Sequence, residues 1–332
     1  MNDFEQGYGR RRCGRGFCFL STQGKPISSE RVKKRLKNLA IPPAWEEVWI
    51  CPKTNGHIQA RGLDDAGRTQ YIYHPQWHAI SSAKKFDRMH LFAEVLGRLR
   101  RRVRKDLNRR KLNKSRVLAA VVRLLDRAQL RVGNQRYVEE RNSRGATTLG
   151  SDHVELDGVK IKLDFPAKSG KRREIAFSDK KTAAVISQCE EIDGQYLFCY
   201  SDGAEDYSVT SSDVNDYLKS ASKESITAKD FRTWWGSVVA LASVADQREE
   251  LPESSKSARK KLMTTAVKAA ATHLGNTPAV CRSSYIHPAI LAATESGELV
   301  DLLDNVDETV SSIPELSVDE IRFANLLPHL NF

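Results

Sequence analysis

Leu274-Gly275-Asn276-Thr277-Pro278-Ala279-Val280-Cys281-Arg282-Ser283-Ser284-Tyr285 joins two helical stretches across a Gly/Pro break and sets an amide and a phenol nine residues apart. The stretch before it, from about Lys256 to His273, is patterned as a helix and stops at Gly275. Thr277-Pro278 opens the next helix, because proline suits a first-turn position where its missing N–H costs nothing. Tyr285 falls near the end of that helix, ahead of His287-Pro288.

Three cations further upstream complete a chemically coherent set with Asn276 and Tyr285. A helix over residues 115–128 has Ser115 as its cap, Val117, Val121, Leu124, Leu125 and Ala128 on one face and Gly133 as its stop, which puts Arg131 at its C-terminal end. His153 to Leu156 and Val159 to Phe165 flank Asp157-Gly158, a two-residue hairpin signal, and a third strand is expected near Arg173 to Phe177. Lys168 then sits at the tip between the second and third strands, where a long cation can reach outward. Thr227 with Asp230 three residues on reads as a helix cap and places Arg232 in the first turns of a helix.

Taken singly, a helix-end arginine is ordinarily a dipole partner, a turn lysine is solvated, and a helical tyrosine is half-buried packing. Together the five suffice for phosphoryl transfer without a metal or other cofactor. The phenol attacks, the two guanidiniums neutralise the pentacoordinate phosphate, and the ammonium protonates the leaving oxygen.

The charge distribution names a partner. The chain of 332 residues carries +11 overall, yet Leu291 to Phe332 holds nine acidic residues and one basic, so the first 290 residues carry +19. A basic body of this kind points to a polyanion. Arg98 to Arg116 has eleven Lys/Arg against the single acid Asp106; it reads as too charged to pack deeply and as a source of salt-dependent phosphate contacts. No apolar run approaches the length of a membrane span, and the first residues lack the charged-then-apolar order of a secretion signal, so a cytoplasmic, nucleoid-associated protein is expected.

The six cysteines are scattered and are read as free thiols; Cys13 and Cys18 have no second pair to complete a metal site. No phosphate-binding loop ending in Gly-Lys-Ser/Thr is present, and Asp64-Asp65 lacks partner carboxylates for a divalent cation. Residues 1 to about 25 are Gly- and Arg-rich and read as extended or partly disordered, and Ser28 to Leu39 as helical. Val48-Trp49-Ile50-Cys51 and Thr69-Gln70-Tyr71-Ile72-Tyr73 read as strands, helical patterns take over from Ser81, and Gln247 to Ser257 reads as a polar linker. The expectation is an α+β chain: a small β-rich N-terminal domain over residues 1–90, then a larger, mainly α domain over 91–332 with a three-stranded β insertion.

Six segments carry a resemblance. Leu130-Arg131-Val132-Gly133-Asn134, Phe165-Pro166-Ala167-Lys168-Ser169-Gly170-Lys171, Lys229-Asp230-Phe231-Arg232-Thr233-Trp234 and Leu274-Gly275-Asn276-Thr277-Pro278 with Tyr285 resemble the signature segments of the type IB DNA topoisomerases, nearest to the poxvirus enzyme and its small bacterial relatives. Gly67-Arg68-Thr69-Gln70-Tyr71-Ile72-Tyr73-His74-Pro75 resembles that family's DNA-contacting N-terminal strand, and Ala83-Lys84-Lys85-Phe86-Asp87-Arg88 the bacterial members' junction.

The resemblance implies that Tyr285 becomes linked to a 3′ phosphate, that Arg131 and Arg232 hold its non-bridging oxygens, and that Lys168 is the general acid. It implies DNA contacts at Gln70, Tyr71, Tyr73, Tyr137 and Lys229, and a monomer clamped round double-stranded DNA. Asn276 departs from the histidine of poxvirus members: an amide can donate to a phosphate oxygen but cannot exchange a proton. A tyrosine recombinase shares the Arg/Lys/Arg/Tyr logic and is the alternative.

Overall fold

The computed structural model describes residues 6–14, 16–247, 255–306 and 315–330. Two compact units divide it, Met1–Lys85 and Phe86–Phe332. Most of the linker expected over Gln247 to Ser257 lies outside the described residues.

Five antiparallel strands form the sheet of the first unit: β1 (Tyr8–Cys13), β2 (Gly16–Leu20), β3 (Glu46–Ile50), β4 (Ile58–Leu63) and β5 (Thr69–Tyr73), in the order β2-β1-β3-β4-β5. Helix α1 (Glu30–Asn38) lays Leu36 on Val48, Ile50 and Ala60 to make a small apolar core. The Arg-rich start, expected to be loosely held, is instead a hairpin with a job for its charge. Arg10 donates to the carbonyls of Ile41 and Pro42 at 2.9 Å and of Trp45 at 2.6 Å, and its guanidinium lies 4.1 Å from the Phe17 ring centre. Cys13 and Cys18 are disulfide-bonded across this hairpin with Cα atoms 5.7 Å apart, which corrects the reading of six free thiols. The other four are free and buried.

Helix α2 (Pro75–Leu107) begins six residues before the expected switch to helical patterning, with proline at its first position. The second unit continues through α3 (Lys114–Arg127) and α4 (Gln135–Arg141) to a three-stranded antiparallel sheet, β6 (Val154–Asp157), β7 (Lys160–Pro166) and β8 (Arg172–Ser178). Asp157 pairs with Lys160, so the turn residues are Gly158 and Val159, one step on from the expected pair, and Gly158 takes a φ of +58°. Helix α5 (Lys180–Glu190) and a short hairpin of β9 (Cys199–Ser201) with β10 (Asp206–Ser208) follow; neither was anticipated. The chain closes with α6 (Ser211–Ser222), α7 (Ala228–Ala245), α8 (Lys256–Leu274), α9 (Pro278–Ser284), α10 (Pro288–Ser296), α11 (Leu299–Asp304) and α12 (Val318–Leu326).

One large apolar core serves this unit, with Val117, Val121, Leu124 and Leu125 of α3 packed among Phe92, Phe231 and Trp234. Asn113 caps α3, not Ser115: its side chain accepts from the Arg116 N–H at 3.1 Å. The Arg98–Arg116 run also departs from expectation, because much of its charge is internal. Leu99, Val103 and Leu107 are buried, and Asp106, fully buried, accepts from Arg102 at 2.6 Å, Arg109 at 2.7 Å and the Tyr217 hydroxyl at 3.0 Å. Arg100 makes paired bonds to Asp126 at 2.8 Å and bonds to Glu320 at 2.8 and 3.0 Å.

Glu320 in turn accepts from the Trp234 indole at 2.9 Å and the Ser317 N–H at 2.9 Å. The network therefore fastens α12 to α2, α3 and α7. Burial pushes the Glu320 carboxyl upward, but the Arg100 hydrogen bonds and charge, with those of Ser317 and Trp234, outweigh it, and the net shift is down. A carboxyl depressed in the folded state stabilises fully above the unfolded range, near about 4.3, and loses that contribution as pH falls through the depressed value. Glu320→Ala is expected to cost about 3 kcal/mol in denaturant melts at neutral pH, since Arg100 loses half its compensation. The gap to the unsubstituted protein should narrow below about pH 4. A loss that does not vary with pH would contradict the ionic account.

Candidate active site

Arg131 is presented by a backbone clasp. Helix α3 ends at Arg127, Gln129 turns the chain with a φ of +49°, and Arg131 and Val132 run extended beside residues 145–147. The Ala146 N–H donates to the Arg131 carbonyl and the Thr147 N–H to that of Val132, each at 2.8 Å. The two segments touch so closely that a Cβ on Gly145 would lie 2.5 Å from the Gly133 nitrogen and 2.7 Å from the Arg131 oxygen. This replaces the expected position at a helix C-terminus.

Arg232 lies in the first turns of α7, behind a capping box in which the Thr227 N–H donates to Asp230 at 2.7 Å. Only 4% of it is exposed. One guanidinium nitrogen donates to the Gln129 carbonyl and the other, at 2.8 Å, to the Leu274 carbonyl, while Nε has no partner within the described protein. Arg232 thus ties together the backbone two residues before Arg131 and two residues before Asn276. Its guanidinium carbon lies 5.2 Å from the centre of the Tyr285 ring.

Asn276 follows the left-handed end of α8, where Gly275 has a φ of +59° and the Arg173 guanidinium occupies the space a Cβ would need. The Asn276 Oδ1 accepts from Arg131, so its Nδ2, buried and without a hydrogen bond to the described protein, is left to donate elsewhere. Tyr285 caps the C-terminus of α9, half-buried, with its N–H on the Cys281 carbonyl at 2.9 Å and its own carbonyl accepting from the Ser237 hydroxyl at 3.3 Å. Gly236, inside α7, lets this turn approach: a Cβ there would meet the Tyr285 carbonyl oxygen at 2.7 Å and its Cβ at 2.9 Å. Burial pushes the Cys281 thiol up, partly offset by Asn276, Arg232 and Arg131.

Lys168 opens a single 3-10 turn between β7 and β8, exposed and without an ion pair among the described residues. A cavity of about 430 Å³ gathers Arg131, Lys168, Arg232 and Tyr285, and Tyr137 and Lys229 also line it. Arg141, Arg144 and Asn215 line it too, and no carboxylate does. Such a surface suits an anion with several oxygens and offers no carboxylate ligand for a hard cation. The electrostatic cost is visible at Arg131, pushed down to about 10 first by burial, then by Arg232 and Arg173, against an opposing pull from Tyr285.

The remaining expected contacts belong to the first unit. Tyr71 and Tyr73 project from β5 with ring centres 6.0 Å apart, and Tyr71 is exposed. The Gln70 amide donates to Asp64 at 2.8 Å, and Asp64 also accepts from the Ala66 and Arg68 N–H groups, so this acid closes a turn. Sequence reasoning missed Gly236, whose only signal was a glycine inside a helix, and Arg173, which read as a strand residue. Among the described residues no three His, Cys, Asp or Glu side chains gather to hold a metal ion.

Comparison with known proteins agrees with this geometry. Residues 75–303 match the family of the eukaryotic DNA topoisomerase I catalytic core, and residues 16–64 match the bacterial DNA topoisomerase IB N-terminal domain. The DNA topoisomerase 1B of Acanthamoeba polyphaga mimivirus is 29% identical over 287 residues, covering 85% of each chain. That of vaccinia virus, strain Copenhagen, is 21% identical over 304 residues, 90% of this chain and 92% of its own. With a family match over more than half its length and a cavity that gathers Arg131, Lys168, Arg232 and Tyr285, the chain belongs to the type IB DNA topoisomerases.

Proposed function

We propose that this protein relaxes supercoiled duplex DNA as a monomer, and that Tyr285 forms the covalent link. The observation that carries the reading is the single cavity shared by Tyr285, Arg131, Arg232 and Lys168. The Tyr285 hydroxyl gives up its proton to solvent as its oxygen attacks a backbone phosphorus, the bond from phosphorus to the 5′ oxygen breaks, and Lys168 delivers a proton to that oxygen. A 3′-phosphotyrosyl ester and a free 5′-hydroxyl result. Arg131 and Arg232 face the non-bridging oxygens, where a rigid fork of donors matches a phosphate better than a lysine point charge would. The Asn276 Nδ2 is a further donor to the same oxygens, supported by its being buried with no geometric hydrogen bond among the described residues. Torsional strain turns the nicked duplex, and the reverse displacement reseals it, so the ester conserves the bond and no nucleotide is consumed.

Gln70, Tyr71, Tyr73, Tyr137 and Lys229 contact the duplex in this reading, and the protein works at the nucleoid. No described helix is long and apolar enough to cross a membrane. The recombinase alternative is not favoured, because the relatives that match over most of their length are topoisomerases.

Three experiments test these roles. Purified protein should relax a plasmid in EDTA and without ATP, and Tyr285→Phe should bind the plasmid yet leave it supercoiled; relaxation by the variant would remove Tyr285 from the reaction. Lys168→Ala should slow strand cleavage by on the order of 10²- to 10⁴-fold. A substrate with a sulfur-bridged 5′ leaving group should restore it, whereas an equal deficit on that substrate would assign Lys168 another role. Gly236→Ala should lower the melting temperature, because the added Cβ meets the Tyr285 backbone, and slow cleavage by on the order of 10²-fold as Tyr285 is displaced. An unchanged cleavage rate would show that the close approach at Gly236 does not position the nucleophile.

A further inference from the structure

A second cavity, of about 320 Å³, lies beside the first, and of its lining residues only Asn276 has a role above. Lys171, Arg173, Lys268 and Asn276 are among its lining residues. Asn276, bonded to Arg131, forms part of the border between the two. The tip between β7 and β8 supplies the rest of that border: Lys168 lines the first cavity, while Ala167 and Lys171 line the second.

The cations here are unequal. Arg172 is exposed but already satisfied, with paired bonds to Asp164 at 2.5 and 2.6 Å. Arg173 is held in place by the α8 terminus, donating to the Thr272 carbonyl at 3.2 Å and the His273 carbonyl at 2.5 Å. Lys171 and Lys268, both exposed, have no ion pair among the described residues. One fixed guanidinium and two exposed ammonium groups lining one cavity form a donor set suited to a phosphate.

We propose that this second cavity grips a backbone phosphate of the strand that leaves with the 5′-hydroxyl. The proposal rests on the role of Lys168 given above: if its ammonium meets the departing oxygen, the strand beyond that oxygen continues past the tip toward Lys171. Phosphates of one strand follow at roughly 3.4 Å of helix rise, so the next is presented within the same hairpin's reach. The grip keeps the free end near the phosphotyrosine, favouring resealing and restraining rotation.

The test uses the full-length protein and a covalent adduct prepared on a duplex whose departing strand is short enough to diffuse away. Formation of that adduct by the unsubstituted protein reports on the cleavage reading alone; its absence would sink the earlier proposal and this one with it. Resealing is then timed after adding a 5′-hydroxyl strand to the preformed adduct. Lys171→Ala with Lys268→Ala should slow resealing by about tenfold and lower its salt slope by about one. Lys→Arg replacements at both positions should retain it. A strand with a neutral methylphosphonate near its 5′ end should reseal slowly on the unsubstituted adduct and show no further loss on the doubly substituted one. Resealing that is indifferent to both the lysines and the methylphosphonate would overturn the proposal.

Discussion

Arg232 holds a permanent positive charge inside the protein with two carbonyls and an aromatic ring for company and, among the described residues, no carboxylate bonded to it. Burying such a charge without an ionic partner costs several kcal/mol, which the apolar core and the carbonyl bonds offset. That constraint organises the site. The two carbonyls belong to Gln129 and Leu274, so the residue that presents charge also sets the backbone carrying Arg131 and Asn276. The cavity beside it is lined by further cations.

The basic residues of this chain serve two different ends. Arg100, Arg102 and Arg109 are consumed internally by Asp126, Asp106 and Glu320, and they fasten helices to one another. Arg131, Lys168, Lys229 and Arg232 line the cavity without a carboxylate on its walls. Net charge does not separate these classes. Pairing does, and pairing is a property of the fold.

What could be read from the residues followed from local chemistry. Gly275 at a left-handed helix end, Thr227 with Asp230 at a helix start and the strand periodicity around Lys168 were legible because each rests on neighbours in sequence. The errors came from distant partners. Ser115 looked like a cap until Asn113 proved to hold the Arg116 N–H, and the run from Arg98 to Arg116 looked solvated because Asp126 and Glu320 lie far along the chain. Arg131 was placed at a helix end because Gly145, which makes room for the clasp, is fourteen residues away. Gly236 carried no pattern at all; only the packed turn at Tyr285 explains it.

The account stands on one aromatic oxygen becoming an ester of a nucleotide while fixed guanidiniums hold the phosphate. The most direct measurement is to trap the protein on a duplex whose departing strand is lost, digest the product, and identify the nucleotide-bearing peptide by mass spectrometry. The account predicts a 3′ phosphate on Tyr285. Attachment at another residue, or to a 5′ end, would contradict it.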